Sequence, residues 1–392
     1  MPGPLDGVRV IDLTAMLAGP YATMLLADLG AEVVKVEPPR GDPTRGVGPF
    51  RETDGPDGLA GYFQSVNRGK RSVVLDLKTD EGRAKLRDLA RVADVLVENY
   101  SAGVMERLGL SYELLHADNP RLVYAAVRGF GDPRTGDSPY RDWPAYDVIA
   151  QAVGGFLGIT GTADKTPIKS GPGIGDLFPA VLLAVGILSA LHHATKTGQG
   201  QFVDVAMYDA VLSMCERIVH QHSYTGQVPE QQGNSHPLLC PFDILPTADG
   251  WVALAANSQH WAKVATAIGR PDMATDERYA TNAARLRNKP EVLAALKEWL
   301  STRTTKEVLA TFGGSVPIGP VNTVADIFAD DHVAARDMLV AVEQPGSDRP
   351  VTLAGQPIKF TETPSSAITR GPLLGEHDID RIVDEWSITP TR

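Results

Sequence analysis

The chain has 392 residues, 43% of them hydrophobic and 22% charged, the balance of a folded globular protein rather than a fibrous, disordered or membrane one. That length outgrows a single hydrophobic core and predicts a large domain with a smaller one. A net charge of −11 offers no electrostatic footprint for nucleic acid or an anionic membrane surface, and any polyanionic ligand needs a local basic pocket.

The N-terminal residues show no basic region followed by an apolar core, so no secretory signal is expected. Residues 8–12 read as a strand, 14–29 as an apolar helix stopped by Gly30, and 32–36 as a second strand, together a βαβ unit. Strand 72–77, helix 79–90 and strands 95–97 and 122–127 continue the alternation, which predicts an α/β fold with a mostly parallel sheet. Two irregular excursions, 38–61 and 129–144, each follow a strand. In open α/β sheets ligands bind beyond the carboxyl ends of strands, so these loops are where a site is expected. The uncharged run 177–191 is shorter than the roughly 20 residues that cross a bilayer and predicts a buried helix. Strand 201–205 and helix 207–222 follow.

From residue 225 the chain turns polar, and 242–256 with 261–268 predicts a hairpin and helix of a separate unit. The expected organisation is therefore a large domain over 1–224, a small domain over 225–325, and a C-terminal segment, 326–392, that returns to the large one. Trp251 and Trp261 are expected in the small core. Cys215 and Cys240 are the only cysteines. They lack the spacing of a disulfide framework or a thiolate zinc site, and a reducing cytoplasm fits best.

Residues 170–176, Ser-Gly-Pro-Gly-Ile-Gly-Asp, lead directly into the apolar run. A carboxylate at a helix N-terminus is held as an anion by free N–H groups and the dipole, and glycines allow close substrate approach, a fitting arrangement for a nucleophile. Asp is also among the best helix caps, so a purely structural Asp176 satisfies the same pattern. Arg40, Arg45, Arg51, Arg68, Lys70 and Arg71 cluster around the first excursion and are candidates for phosphate contacts. A solvated turn explains 68–71 equally well. No GxGxxG or P-loop is present, which weakens dinucleotide and nucleoside-triphosphate readings. His192, His193, His220 and His222 lack ligand spacing, and no metal site is expected. Tyr146-Asp147 opens a helix and reads either as a catalytic pair or as capping.

Taken in order, Leu5-Asp-Gly-Val-Arg-Val-Ile-Asp-Leu-Thr14, Ala18-Gly-Pro20, residues 28–37, 67–72 and 97–100, Lys196-Thr-Gly-Gln-Gly200 and Pro372-Leu-Leu-Gly-Glu-His377 resemble the family III CoA-transferases, the CaiB/BaiF family. The resemblance implies a Rossmann-like large domain, an inserted small domain and a homodimer of two chains threaded as linked rings. It implies that Asp176 is the catalytic aspartate, that Lys70, Asn99, Tyr100 and Arg107 contact CoA beside the basic candidates Arg40 and Arg71, and that Tyr146, Leu17 and Gly175 line the site. The substrates implied are an acyl-CoA thioester and a carboxylic acid, with no permanently bound cofactor and no nucleic-acid or membrane partner. The related α-methylacyl-CoA racemases place histidine-aspartate where this chain has Tyr146-Asp147, and tyrosine is a poor acid/base substitute near neutral pH. Ala15-Met-Leu17 replaces a polar residue of some formyl-CoA enzymes, and Gly233-Asn-Ser-His-Pro237 with Pro241-Phe242 is similar to members using succinate, glutarate or mesaconate. Racemisation, and CoA-ester binding without turnover, remain the alternatives.

Overall fold

The computed structural model describes residues 3–52, 54, 58–363 and 367–388. Parts of the 38–61 excursion, of the C-terminal segment and both extreme chain ends lie outside the described residues. The described chain divides into two compact units, the first formed by Met1–Phe156, Ser170–Gly226 and Asp331–Arg392, the second by Leu157–Lys169 and Gln227–Asp330.

The first unit is built on six strands: β1 (Arg9–Asp12), β2 (Glu32–Glu37), β3 (Arg71–Val74), β4 (Val95–Glu98), β5 (Val123–Arg128) and β6 (Phe202–Ala206). All neighbours are parallel, in the order β3-β2-β1-β4-β5-β6. Strands β1, β4 and β5 are buried along their whole length, which is why they read as unbroken apolar runs rather than alternating ones. Through Thr225 the chain forms the helices α1 (Ala18–Asp28), α2 (Gly61–Asn67), α3 (Asp80–Val92), α4 (Val104–Arg107), α5 (Tyr112–Asp118), α6 (Asp147–Val153), α7 (Phe156–Ile159), α8 (Ile174–Thr197), α9 (Met207–Met214) and α10 (Glu216–Thr225), of which α7 belongs to the second unit from Leu157 onward. One face of the sheet packs Val10, Val97 and Val127 against Leu26 of α1 and Leu183 and Ile187 of α8. The other packs Ile11, Val34 and Leu96 against Leu86 and Leu89 of α3 and against Ile382 and Trp386 of the closing helix, Ile379–Ile388.

Strand order reverses beside β1: β2 and β3 lie on one side, β4 to β6 on the other. The loops leaving β1 and β4 therefore diverge and open a crevice at the carboxyl edge of the sheet.

Helix α8 corrects one expectation. Ala180, Leu183 and Ile187 are buried, yet Val181 and Val185 are 40% and 54% exposed. At 24 residues it is, by length and composition, apolar enough to cross a membrane. A helix apolar on every side carries no periodic signal of which face the core will take.

In the second unit β7 (Phe242–Pro246), β8 (Trp251–Ala255) and β9 (Ile318–Pro320) form an antiparallel sheet over a core that includes Trp261, Val264, Leu296 and Phe312. The Trp261 indole N–H donates to the Met273 carbonyl at 3.0 Å. Trp251, expected in this core, is 50% exposed: it alternates with buried Val252 and faces outward, as strand pleating requires.

Candidate active site

The crevice holds a cavity of about 270 Å³ lined by the loop after β1 (15–18), the loop after β4 (99–102), the end of β5, Arg141, residues 143–146 and Asp176. Its shape depends on the loop after β1. Asn99 clamps that loop, its Oδ1 accepting from the Ala15 N–H at 2.9 Å and its Nδ2 donating to the Ala15 carbonyl at 2.7 Å. The next residue, Met16, takes φ 71°, a left-handed conformation that a non-glycine residue holds only when its surroundings enforce it. Leu17 then precedes α1 and supplies no side-chain cap, and Leu17 and Ala18, at the positive end of the helix dipole, line the cleft.

Asp176 occupies the first turn of α8. It does not cap the helix. Asp147, opening α6, has that role: its Oδ1 accepts from the Gly175 N–H at 2.8 Å, and both its oxygens accept from the Gln151 Nε2 at 2.8 and 2.9 Å. Gln151 is fully buried, and its Oε1 accepts from the Ser170 N–H at 3.0 Å, tying the glycine-rich approach to α6. A Cβ on Gly175 would lie 2.3 Å from the Asp147 carbonyl oxygen, so only glycine permits this approach. The Asp176 carboxylate is left half-buried, with no ion pair or hydrogen bond among the described residues. Burial first, and the neighbouring Asp147 charge second, push its pKa up to about 7.

The structure sorts the other expected residues into three groups. Asn99, Tyr100, Leu17 and Tyr146 line the cleft with Asp176. Tyr146 is 64% exposed at its rim, and burial together with Glu98 pushes the Tyr100 hydroxyl up to about 12, so it stays protonated. Gly175 is buried beneath the cleft and its N–H is already committed to Asp147, so it neither lines the cavity nor supplies a free donor.

The basic cluster is mostly structural. Lys70 is buried, with Nζ donating to Asp12 at 2.8 Å, Asn67 at 2.9 Å and the Pro20 carbonyl at 3.0 Å. Burial lowers its pKa to about 8 against the pull of Asp12, and no donor remains for a phosphate. Arg71 pairs with Glu385 at 2.7 Å, Arg45 with Glu37 at 2.7 Å and Arg68 with Asp28 at 2.7 Å, while Arg51 donates to the Arg349 carbonyl at 2.8 Å. Each of these acceptors lies far away in sequence or on another element, which basic clustering alone does not reveal. Only Arg40 of that cluster, and Arg107 on α4, are exposed with no ion-pair partner among the described residues.

Sequence reasoning missed three features. A second cavity of about 210 Å³, lined by Val36, Pro38, Leu75, Lys78, Val104 and Leu108 among others, shares Tyr100 with the first. Lys78 follows β3 at the same carboxyl edge, which was the available signal. Tyr62 lies within the field of Asp176, which after burial is the largest influence raising its pKa. Arg128 and Arg141 both line the main cleft.

A family model described as CoA-transferase family III matches residues 5–378, and the chain belongs to that family. It is 51% identical over 387 residues to the succinyl-CoA:mesaconate CoA-transferase of Haloarcula hispanica, an alignment covering 98% of this chain and 97% of that protein. It is 39% identical over 403 residues to the succinate–glutarate CoA-transferase of Agrobacterium fabrum, with 99% and 97% covered. The crystal structure of a CaiB/BaiF family protein from Brucella suis matches with a TM-score of 0.86 at 37% identity, covering 98% of this chain and 100% of that one. The protein is thus an enzyme that transfers CoA between acyl-CoA and acid, and the expected α/β fold with a parallel sheet is borne out.

Proposed function

We propose that this enzyme moves CoA from succinyl-CoA to a dicarboxylate of the mesaconate type, with Asp176 as the covalent carrier. The observation that carries the mechanism is the Asp176 carboxylate itself, half-buried in the cleft, unpaired among the described residues and made basic by its surroundings. The substrate choice rests on the relatives at 51% and 39% identity. An Asp176 oxygen attacks the thioester carbonyl carbon; the C–S bond breaks and CoA leaves as thiolate, giving an acyl-aspartyl anhydride. The thiolate then attacks the Asp176 carbonyl carbon, expelling the donor acid as carboxylate and leaving an aspartyl-CoA thioester. An acceptor carboxylate repeats the two steps in reverse. Thioester energy is conserved, so no nucleotide is consumed. Oxyanions that develop at the attacked carbonyls lie near the uncapped N-terminus of α1, whose donors and dipole stabilise them.

The main cavity is too small for a whole CoA ester and takes its acyl and thioester end. We assign the adenine to the second, mostly apolar cavity, with Arg40, Lys78 and Arg107 meeting phosphates around it.

The small unit as an inserted domain and the ring-threaded homodimer belong to the same reading. Val181 and Val185 of α8, Leu212 of α9 and Val219 of α10 are exposed, and apolar side chains clustered on packed helices mark an interface. The test of the chemistry is incubation with succinyl-CoA and a panel of acids, followed by mass spectrometry of new acyl-CoA and of the Asp176 peptide. Transfer with an adduct on Asp176, both absent in Asp176→Asn, is expected. Loss of α-stereochemistry in a 2-methylacyl-CoA without transfer would sink the proposal in favour of a racemase.

A further inference from the structure

A dicarboxylate presents one carboxylate to the reaction and a second that the cleft must either solvate or pair. Two cations line the cavity that holds Asp176, Arg128 and Arg141. Arg128 is buried at the end of β5 and already saturated: it pairs with Glu98 and with Asp132, and its Nε donates to the Tyr100 carbonyl at 3.1 Å. Removing it from two buried carboxylates would leave both uncompensated. The remaining lining offers no free cation, being largely apolar (Leu17, Trp143, Pro144, Met207), with the Asn99 amide committed to Ala15.

Arg141 differs. Its side chain is 44% exposed, and its partners Asp137 and Asp142 are more exposed still, at 67% and 79%. Such solvent-exposed pairs contribute little and exchange readily, so the guanidinium is free to swap Asp137 for a ligand carboxylate, which it meets as a planar fork. It stands on the loop that ends at Tyr146 and α6, and the same α6 carries the Asp147 clamp beneath Asp176.

We infer that Arg141 is the specificity-determining residue that pairs the non-reacting carboxylate of the substrate. This rests on the dicarboxylate reading above and deepens it. A site that pairs a buried or half-buried charge discriminates strongly against the analogue lacking it.

The test is a competition in one vessel: succinyl-CoA as donor, with mesaconate and an excess of tiglate, which carries a methyl group in place of one mesaconate carboxylate. The ratio of mesaconyl-CoA to tiglyl-CoA reads acceptor discrimination alone, because donor turnover and any loss of folded enzyme scale both products together. In Arg141→Gln the ratio is expected to fall on the order of tenfold to hundredfold, as loss of one charged hydrogen-bonded contact implies, and Arg141→Lys is expected to recover much of it. An unchanged ratio in an active variant overturns the assignment, as does a variant that loses mesaconyl-CoA without relative gain of tiglyl-CoA. That last result places Arg141 on the CoA moiety or the fold. Wild-type enzyme with mesaconate alone is run beside it; if that yields no mesaconyl-CoA, the substrate reading itself fails and this inference with it.

Discussion

At the scale of single residues, the site turns on two carboxylates with different surroundings. Asp147 is satisfied by Gly175 and Gln151, whereas Asp176 is unpaired among the described residues and pushed up to about 7. The proposed attack by Asp176 requires its ionised form, so kcat/KM should rise with pH through about 7 and fall roughly tenfold per unit on the acid side. Asp147→Asn keeps an oxygen for the Gly175 N–H but removes the charge that disfavours ionised Asp176. The acid limb should then move to lower pH; a limb that stays in place would show that Asp147 acts through geometry alone. Lys70 makes a contrasting case. Replacing it with Met leaves Asp12 buried without its cation, and urea denaturation should show a loss of about 3–5 kcal/mol. A variant that is fully stable but has a raised KM for CoA esters would return Lys70 to the ligand.

At the scale of elements, α1 and α8 present their N-termini at the same crevice but in different states. α8 is capped by a side chain from α6, whereas no side chain caps α1 among the described residues. The cap works because Gly175 has no Cβ. Gly175→Ala would push α8 off Asp147 and displace Asp176. Expected are a loss of about 1–3 kcal/mol in thermal or urea unfolding and a larger loss of kcat, because reacting geometry tolerates little displacement. A variant with unchanged kcat would show that the Gly175–Asp147 contact does not position Asp176 for the proposed attack.

For the whole molecule, the exposed apolar side chains of α8, α9 and α10 predict a homodimer in solution by sedimentation at micromolar concentration. In the proposed threading, linked rings cannot part without unfolding, so dilution to nanomolar concentration should yield no folded monomer. Val185→Glu should lower folded yield rather than release monomers. A folded monomer, from the wild type on dilution or from Val185→Glu, would refute the threaded dimer.

Much of the fold was legible along the chain because parallel-sheet strands are buried on both faces and announce themselves as apolar runs between helices. Thus strand expectations 8–12, 32–36 and 95–97 fall on β1, β2 and β4. Asp176 stood out for a local reason, a lone carboxylate where a glycine-rich segment enters an apolar helix. The basic residues were legible as types but not as roles. Whether Arg68 or Lys70 meets a phosphate or an internal carboxylate depends on Asp28 and Asp12, partners 40 and 58 residues away. The burial of one face of α8, the outward turn of Trp251 and the second cavity at Tyr100 were likewise hidden, since each depends on which surfaces meet. The amino-acid sequence by itself determined the main elements, the mostly parallel character of the sheet and the carboxylate at the mouth of α8, because those follow from local periodicity and capping chemistry. Only the tertiary structure decided which charges are spent inside the protein and which remain for a ligand, because pairing is a matter of distance in space.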